Sequence, residues 1–133
     1  MTNQKAMTIT VNNRDYRIPA RPVVAICVDG SEPAYIEEAV AAGVMPWTER
    51  SVGGAGADLR VNCVIPSFTN PNNLSIVTGA SPAVHGICGN YFYDRVSERE
   101  VMMTAPELLR APTLFEAFQK NGLRIGIVTA KDK

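Results

Sequence analysis

Five residues of this sequence have the chemistry of a reaction centre: Asp29, Thr69, Asn90, Lys131 and Lys133. Asp29 ends the apolar run "RPVVAICVDG". A carboxylate at the carboxyl end of a buried strand can ligate a cation such as zinc. It can equally be a turn residue before Gly30 or a cap for a following helix. Thr69 lies in "VIPSFTNPNNLSIVTGA", where a helix is expected to begin. The free N–H groups of a helix start favour an anion, and a phosphoryl group is a common guest. A threonine hydroxyl is a poor nucleophile until a base or metal lowers its pKa. Thr69 is thus a nucleophile or a helix cap, and its neighbours leave both open. Asn90 follows "HGICG". Its amide can donate to charge growing on a phosphoryl oxygen, or it is a plain turn residue. Lys131 and Lys133 are two apart, so on an extended chain they point the same way. Together they can hold a carboxylate or phosphate; otherwise they are a solvated chain end. His85, beside Gly86, reads as a structural hydrogen-bonding residue.

The elements that must position these groups follow from periodicity and punctuation. "TITVNNRDYRIP" reads as a hairpin, with Ile9 and Val11 alternating with polar residues around an "NNRD" turn. "RPVVAICVDG" is a continuous apolar run, as for a parallel strand buried on both faces. "SEPAYIEEAVAAG" reads as a helix with Ser31 or Glu32 as cap, Pro33 in the first turn and Gly43 at the stop. "MPWTERSV" is a short helical piece, and "ADLRVNCVIP" a second strand. "NPNNLSIVTG" is a helix ending at Gly79. "PTLFEAFQKNG" is an amphipathic helix, and "LRIGIVTAK" a third core strand. The alternation predicts an α/β architecture, a mostly parallel sheet with helices on both faces. Residues 1–20 form an N-terminal hairpin or extension, and residues 21–133 the start of a larger domain. Asp29, Thr69 and the lysines would each follow a strand and share one sheet edge. The chain stops directly after a strand, where a covering helix normally follows, so the natural protein is expected to continue.

The bulk numbers narrow the partners. The 133 residues suit one domain, and 46% are hydrophobic, enough for a core. Lys plus Arg is 13 and Asp plus Glu is 13, so nothing points to nucleic acid or an anionic membrane. The start lacks the apolar core of a secretory signal, and the longest apolar run is too short to span a bilayer. The cytoplasm is the expected compartment. Cys27, Cys63 and Cys88 have no metal-type spacing and read as buried thiols.

The segments "VVAICVDGSEPAYIEEAVAAGVMPWTERSV", "NCVIPSFTNPNNLSIVTGASPAVHGICGNYFYD" and "RIGIVTAKDK" together resemble the N-terminal part of the phosphonoacetate hydrolases. These belong to the alkaline phosphatase superfamily, near its nucleotide pyrophosphatase/phosphodiesterase branch. The resemblance covers residues 21–133. It implies an alkaline phosphatase-like fold and hydrolysis of the C–P bond of phosphonoacetate, through a phosphothreonine at a two-zinc site. It makes Asp29 a zinc ligand and Thr69 the nucleophile, also touching zinc. It makes Asn90 a binder of the phosphonyl oxygens, and Lys131 and Lys133 binders of the substrate carboxylate. The other zinc ligands of that family, aspartates and histidines, come from later in its longer chains. This piece alone is therefore expected to be inactive. The implied partner is a small phosphonate, with no nucleic acid or membrane, and a homodimer is left open. Two other readings compete. One is a nucleotide phosphodiesterase or pyrophosphatase on the same scaffold, which needs no paired lysines. The other is a non-catalytic α/β module that binds an anion.

Overall fold

The hairpin forms where the alternation places it. In the computed structural model, which describes residues 7–129, strands β1 (Thr8–Val11) and β2 (Arg14–Arg17) pair antiparallel, with Ile9 opposite Tyr16 and Val11 opposite Arg14. Asn12 and Asn13 form the turn at φ 49° and 62°. A type I′ hairpin turn needs left-handed backbone at both centres, and asparagine tolerates it. Ile9 and Val11 are buried, so the inward face is the apolar one. The Asn12 amide donates to the carbonyls of Thr78 at 2.8 Å and Pro112 at 3.0 Å, which ties the turn to distant chain.

The helices follow the punctuation. Helix α1 (Pro33–Ala41) starts after Glu32 with Pro33 in its first turn. It stops at Gly43, whose φ of 72° closes a C-terminal turn bonded to Val40. Helix α2 is Pro46–Gly53. Helix α3 (Thr69–Thr78) ends on Gly79 at φ 64°. A side chain at Gly79 would also overlap the Tyr16 hydroxyl, so the hairpin closes directly over this helix end. A short helix α4 (Pro82–His85) follows. Helix α5 (Leu114–Lys120) is capped by Thr113, whose side chain accepts from the Glu116 N–H at 3.1 Å.

A second hairpin, absent from the sequence reading, joins β3 (Tyr91–Asp94) to β4 (Arg99–Met102). Asp94 organises its turn by accepting from the Ser97 hydroxyl at 2.6 Å and the Val96 N–H at 3.1 Å. These bonds, the Ser97 hydroxyl foremost, hold its carboxyl below the usual range.

The expected parallel strands are the main difference. Residues 22–28, 57–64 and 123–129 have no regular secondary structure, and the sheets among the described residues are the two hairpins. Val24, Ile26 and Val61 are 81%, 82% and 86% exposed. A parallel strand takes its hydrogen bonds from neighbours on both edges and its burial from helices on both faces. Among the described residues, α1, α2 and α5 bury none of their own residues, whereas helices covering a sheet face would. Cys27, Cys63 and Cys88, expected as buried thiols, are exposed for the same reason in the first two cases.

Burial is instead concentrated around α3 and α4, on Ile9, Val11, Pro71, Thr78, His85, Ile87 and Ala111. Val24–Asn62 forms one compact unit, and the rest of the described chain forms another. Within the smaller unit Arg60 pairs with Glu37 and, at 3.1 Å, with Asp58. All three side chains are more than half exposed, so the pairs add little to stability. No described helix is long and apolar enough to cross a membrane.

Candidate active site

The stretch "SFTNPNN" decides how Thr69 is presented. Thr69 is the first residue of α3 and half-buried, while the capping position falls to Phe68, which makes no side-chain capping bond. Two asparagines compensate. Asn72 reaches back: its carbonyl accepts from the Val64 N–H and its amide donates to the Phe68 carbonyl, both at 2.9 Å. That pins the loop leading into Thr69. The N–H of Asn70 is taken by Oδ1 of Asn90 at 3.1 Å. The helix start is therefore capped by a residue twenty positions away. It also offers fewer open donors than the sequence suggested, since Pro71 has no N–H and that of Asn70 is engaged.

Asn90 is thus brought beside the residue that follows Thr69. With Oδ1 on the Asn70 N–H, the donor end of the Asn90 carboxamide is its NH₂. Two more bonds close a ring. The Asn90 carbonyl accepts from the Met103 N–H at 2.7 Å, and the Asn70 side chain donates to the Met103 carbonyl at 3.2 Å. Sequence reading missed Asn70 and Met103 as parts of the site. The asparagine-rich run "TNPNN" was the available signal for the first. Met103 carries none, because it acts through its main chain.

His85 fixes the other end of the loop that carries Asn90. It is fully buried. Its Nδ1 accepts from the Ile87 N–H at 3.1 Å, so Nε2 carries the proton and faces the Ser75 hydroxyl at 2.9 Å. Ser75 in turn donates to the Pro71 carbonyl at 2.7 Å. Burial lowers the His85 pKa, opposed by the nearby Pro71 carbonyl. A neutral imidazole with both nitrogens engaged by protein is a structural group, which agrees with the expectation for His85.

Asp29 is exposed at the turn before Gly30, whose φ is 73°, and belongs to the smaller unit. Lys131 and Lys133 lie outside the described residues. Among the described residues no three His, Cys, Asp or Glu side chains cluster as a metal site. A carboxylate and an alcohol are hard oxygen donors that suit a divalent cation, but they make only part of a four-ligand set. A cavity of about 160 Å³ opens beside Asn70, against Leu74, Ile87 and Met103. Its wall is mostly apolar, so the cavity itself does not suit a phosphonate dianion.

Comparison with known proteins supplies the family. Residues 23–131 match the family model of type I phosphodiesterases and nucleotide pyrophosphatases. An uncharacterized pyrophosphatase/phosphodiesterase of Schizosaccharomyces pombe is 33% identical over 97 residues, covering 71% of this chain and 19% of that protein. An ectonucleotide pyrophosphatase/phosphodiesterase of Caenorhabditis elegans is 31% identical over 103 residues, covering 74% of this chain and 13% of that protein. Phosphonoacetate hydrolase from Sinorhizobium meliloti 1021, solved with phosphonoacetate, is 54% identical with a TM-score of 0.90, over 96% of this chain and 30% of that one. The same enzyme solved with phosphonoformate gives 0.83 at 54% identity, over 88% and 28%. The chain therefore spans less than a third of the length of these relatives. Its path is that of the phosphonoacetate hydrolase, so the α/β, alkaline phosphatase-like fold class holds even where strand pairing is not formed. The chain belongs to the type I phosphodiesterase and nucleotide pyrophosphatase family, and within it is similar to phosphonoacetate hydrolase.

Proposed function

We propose that the protein containing this chain is a cytoplasmic, zinc-dependent hydrolase that cleaves the C–P bond of phosphonoacetate to acetate and phosphate. The observation that carries this is the placing of Asn90 against the helix start at Thr69, on a path shared with phosphonoacetate hydrolase. The Thr69 hydroxyl gives up its proton to solvent as Oγ attacks phosphorus and forms the phosphothreonine. The P–C bond breaks, and its electron pair moves into the acetate unit as an enediolate, which then takes a proton. Asn90 donates its NH₂ to the phosphonyl oxygens as their charge grows. Lys131 and Lys133 hold the carboxylate, and their pull strengthens as the leaving group becomes more negative. Water hydrolyses the phosphothreonine, which releases phosphate and restores Thr69. Asp29 and Thr69 are the zinc ligands this chain would supply. Bound zinc would lower the hydroxyl pKa and offset phosphonyl charge.

The test is kinetic, in the full-length zinc-loaded enzyme. Thr69→Ala is expected to lower turnover of phosphonoacetate by about 10³-fold or more. Full turnover in that variant refutes the nucleophile. Lys131→Ala is expected to slow phosphonoacetate far more than a carboxylate-free ester; equal slowing refutes the carboxylate role. The names of the two curated relatives favour a second reading, a nucleotide phosphodiesterase or pyrophosphatase. A nitrophenyl phosphodiester turned over faster than phosphonoacetate would establish it.

A further inference from the structure

We propose that Asn70 is a positioning residue that sets the orientation of the Asn90 amide. The inference rests on the reading of Asn90 as the donor to the phosphonyl oxygens. Asn70 adjoins Thr69, and it engages the Asn90 site twice. Its main-chain N–H binds Asn90 Oδ1 at 3.1 Å, which leaves the NH₂ as the donor end of that amide. Its side chain donates to the Met103 carbonyl at 3.2 Å, and the Met103 N–H holds the Asn90 carbonyl at 2.7 Å. The ring Asn70–Asn90–Met103 therefore fixes both the main chain and the side chain of Asn90. An amide that rotated would present its oxygen to an anionic substrate and repel it. A carboxamide can flip with little change of shape, so its orientation must come from its partners.

Met103 also explains why the second hairpin matters to the site. It directly follows β4, so the end of that hairpin is one corner of the ring. Asn70 and Asn90 are both half-buried, where a hydrogen bond is less contested by water.

The experiment is a double-mutant cycle in the full-length zinc-loaded enzyme, paired with a spectrum of the metal-free protein. Asn70→Ala is expected to lower kcat about 10-fold with KM changed about 2-fold or less, since the misplaced donor acts mainly in the transition state. In an Asn90→Ala background the same change should cost less than about 2-fold. Asn70→Gln keeps a donor and should recover part of the loss. Asn70→Ala keeps the main-chain N–H and removes the bond to the Met103 carbonyl, so in the metal-free protein it should shift the side-chain ¹⁵N–¹H₂ signals of Asn90 by loosening the Met103 corner of the ring. Should Asn70→Ala not fold, Asn70→Asp removes the donor while its charge suits a helix start, and the same cycle and spectrum apply. Additive losses, or unmoved Asn90 signals, overturn the inference and leave the function intact. Full turnover in Asn90→Ala overturns the reading of Asn90 itself, and the inference with it.

Discussion

The loop and helix around Thr69, rich in asparagine and hydroxyl side chains, and the apolar runs of the chain have opposite fates. Around α3 and α4, His85 and Thr78 are wholly buried, and no buried side-chain polar atom among the described residues lacks a partner. In the runs 22–28, 57–64 and 123–129, most large apolar side chains face water. The difference lies in the kind of partner each needs. The α3–α4 region satisfies itself with partners inside its own unit, several within five or ten residues. The apolar runs need neighbouring strands and two layers of helix, which are contacts of long range. Hydrophobicity alone does not make a strand.

Three experiments would break or sharpen this contrast. The largest effect is expected in hydrogen exchange of the 133-residue chain. Amides of the three runs should exchange about 10²-fold faster than those of the second half of α3. Equal protection would mean that the runs are paired after all. Next is His85→Ala, which strips the Ile87 N–H and the Ser75 hydroxyl of a buried partner. It should cost about 2–4 kcal/mol in urea unfolding. It should also flatten the pH dependence. Burial lowers the folded pKa of His85 below its ordinary 6.5, so the unfolded state binds the proton more readily. His85 therefore contributes fully above about pH 6.5 and progressively less as pH falls towards its lower folded value. Destabilisation on going from about pH 7.5 to about pH 5 should be smaller in the variant. An unchanged slope would remove His85 from the account. The smallest effect is Gly79→Ala, expected to cost about 1–2 kcal/mol. It combines a positive φ with overlap on the Tyr16 hydroxyl. Tyr16→Phe in the same chain should return the steric share and not the backbone share.

The features legible in the sequence were those whose causes are local. The asparagine pair at the first turn, Pro33 and Gly43 around α1, and Gly79 after α3 each act within a few residues. The second hairpin was missed because its turn, "RVSE", holds no glycine or proline. Its organiser is Asp94, bonding two and three residues ahead. Thr69, Asn90 and Asp29 stood out by residue type and by resemblance, while Asn70 did not. Its role depends on residues 90 and 103, far along the chain.

By itself, then, the sequence determined helices α1, α2, α3 and α5, the first hairpin and the family, and it marked candidate residues for chemistry. Those depend on backbone preference, capping and side-chain type, all carried within short windows. Only the tertiary structure decided that Asn90, and not Thr69, meets the N–H of Asn70. It also decided that Met103 closes the ring, and that His85 is buried and neutral. The first two are hydrogen bonds between groups that sequence order leaves apart, and burial too is decided only when the chain is packed.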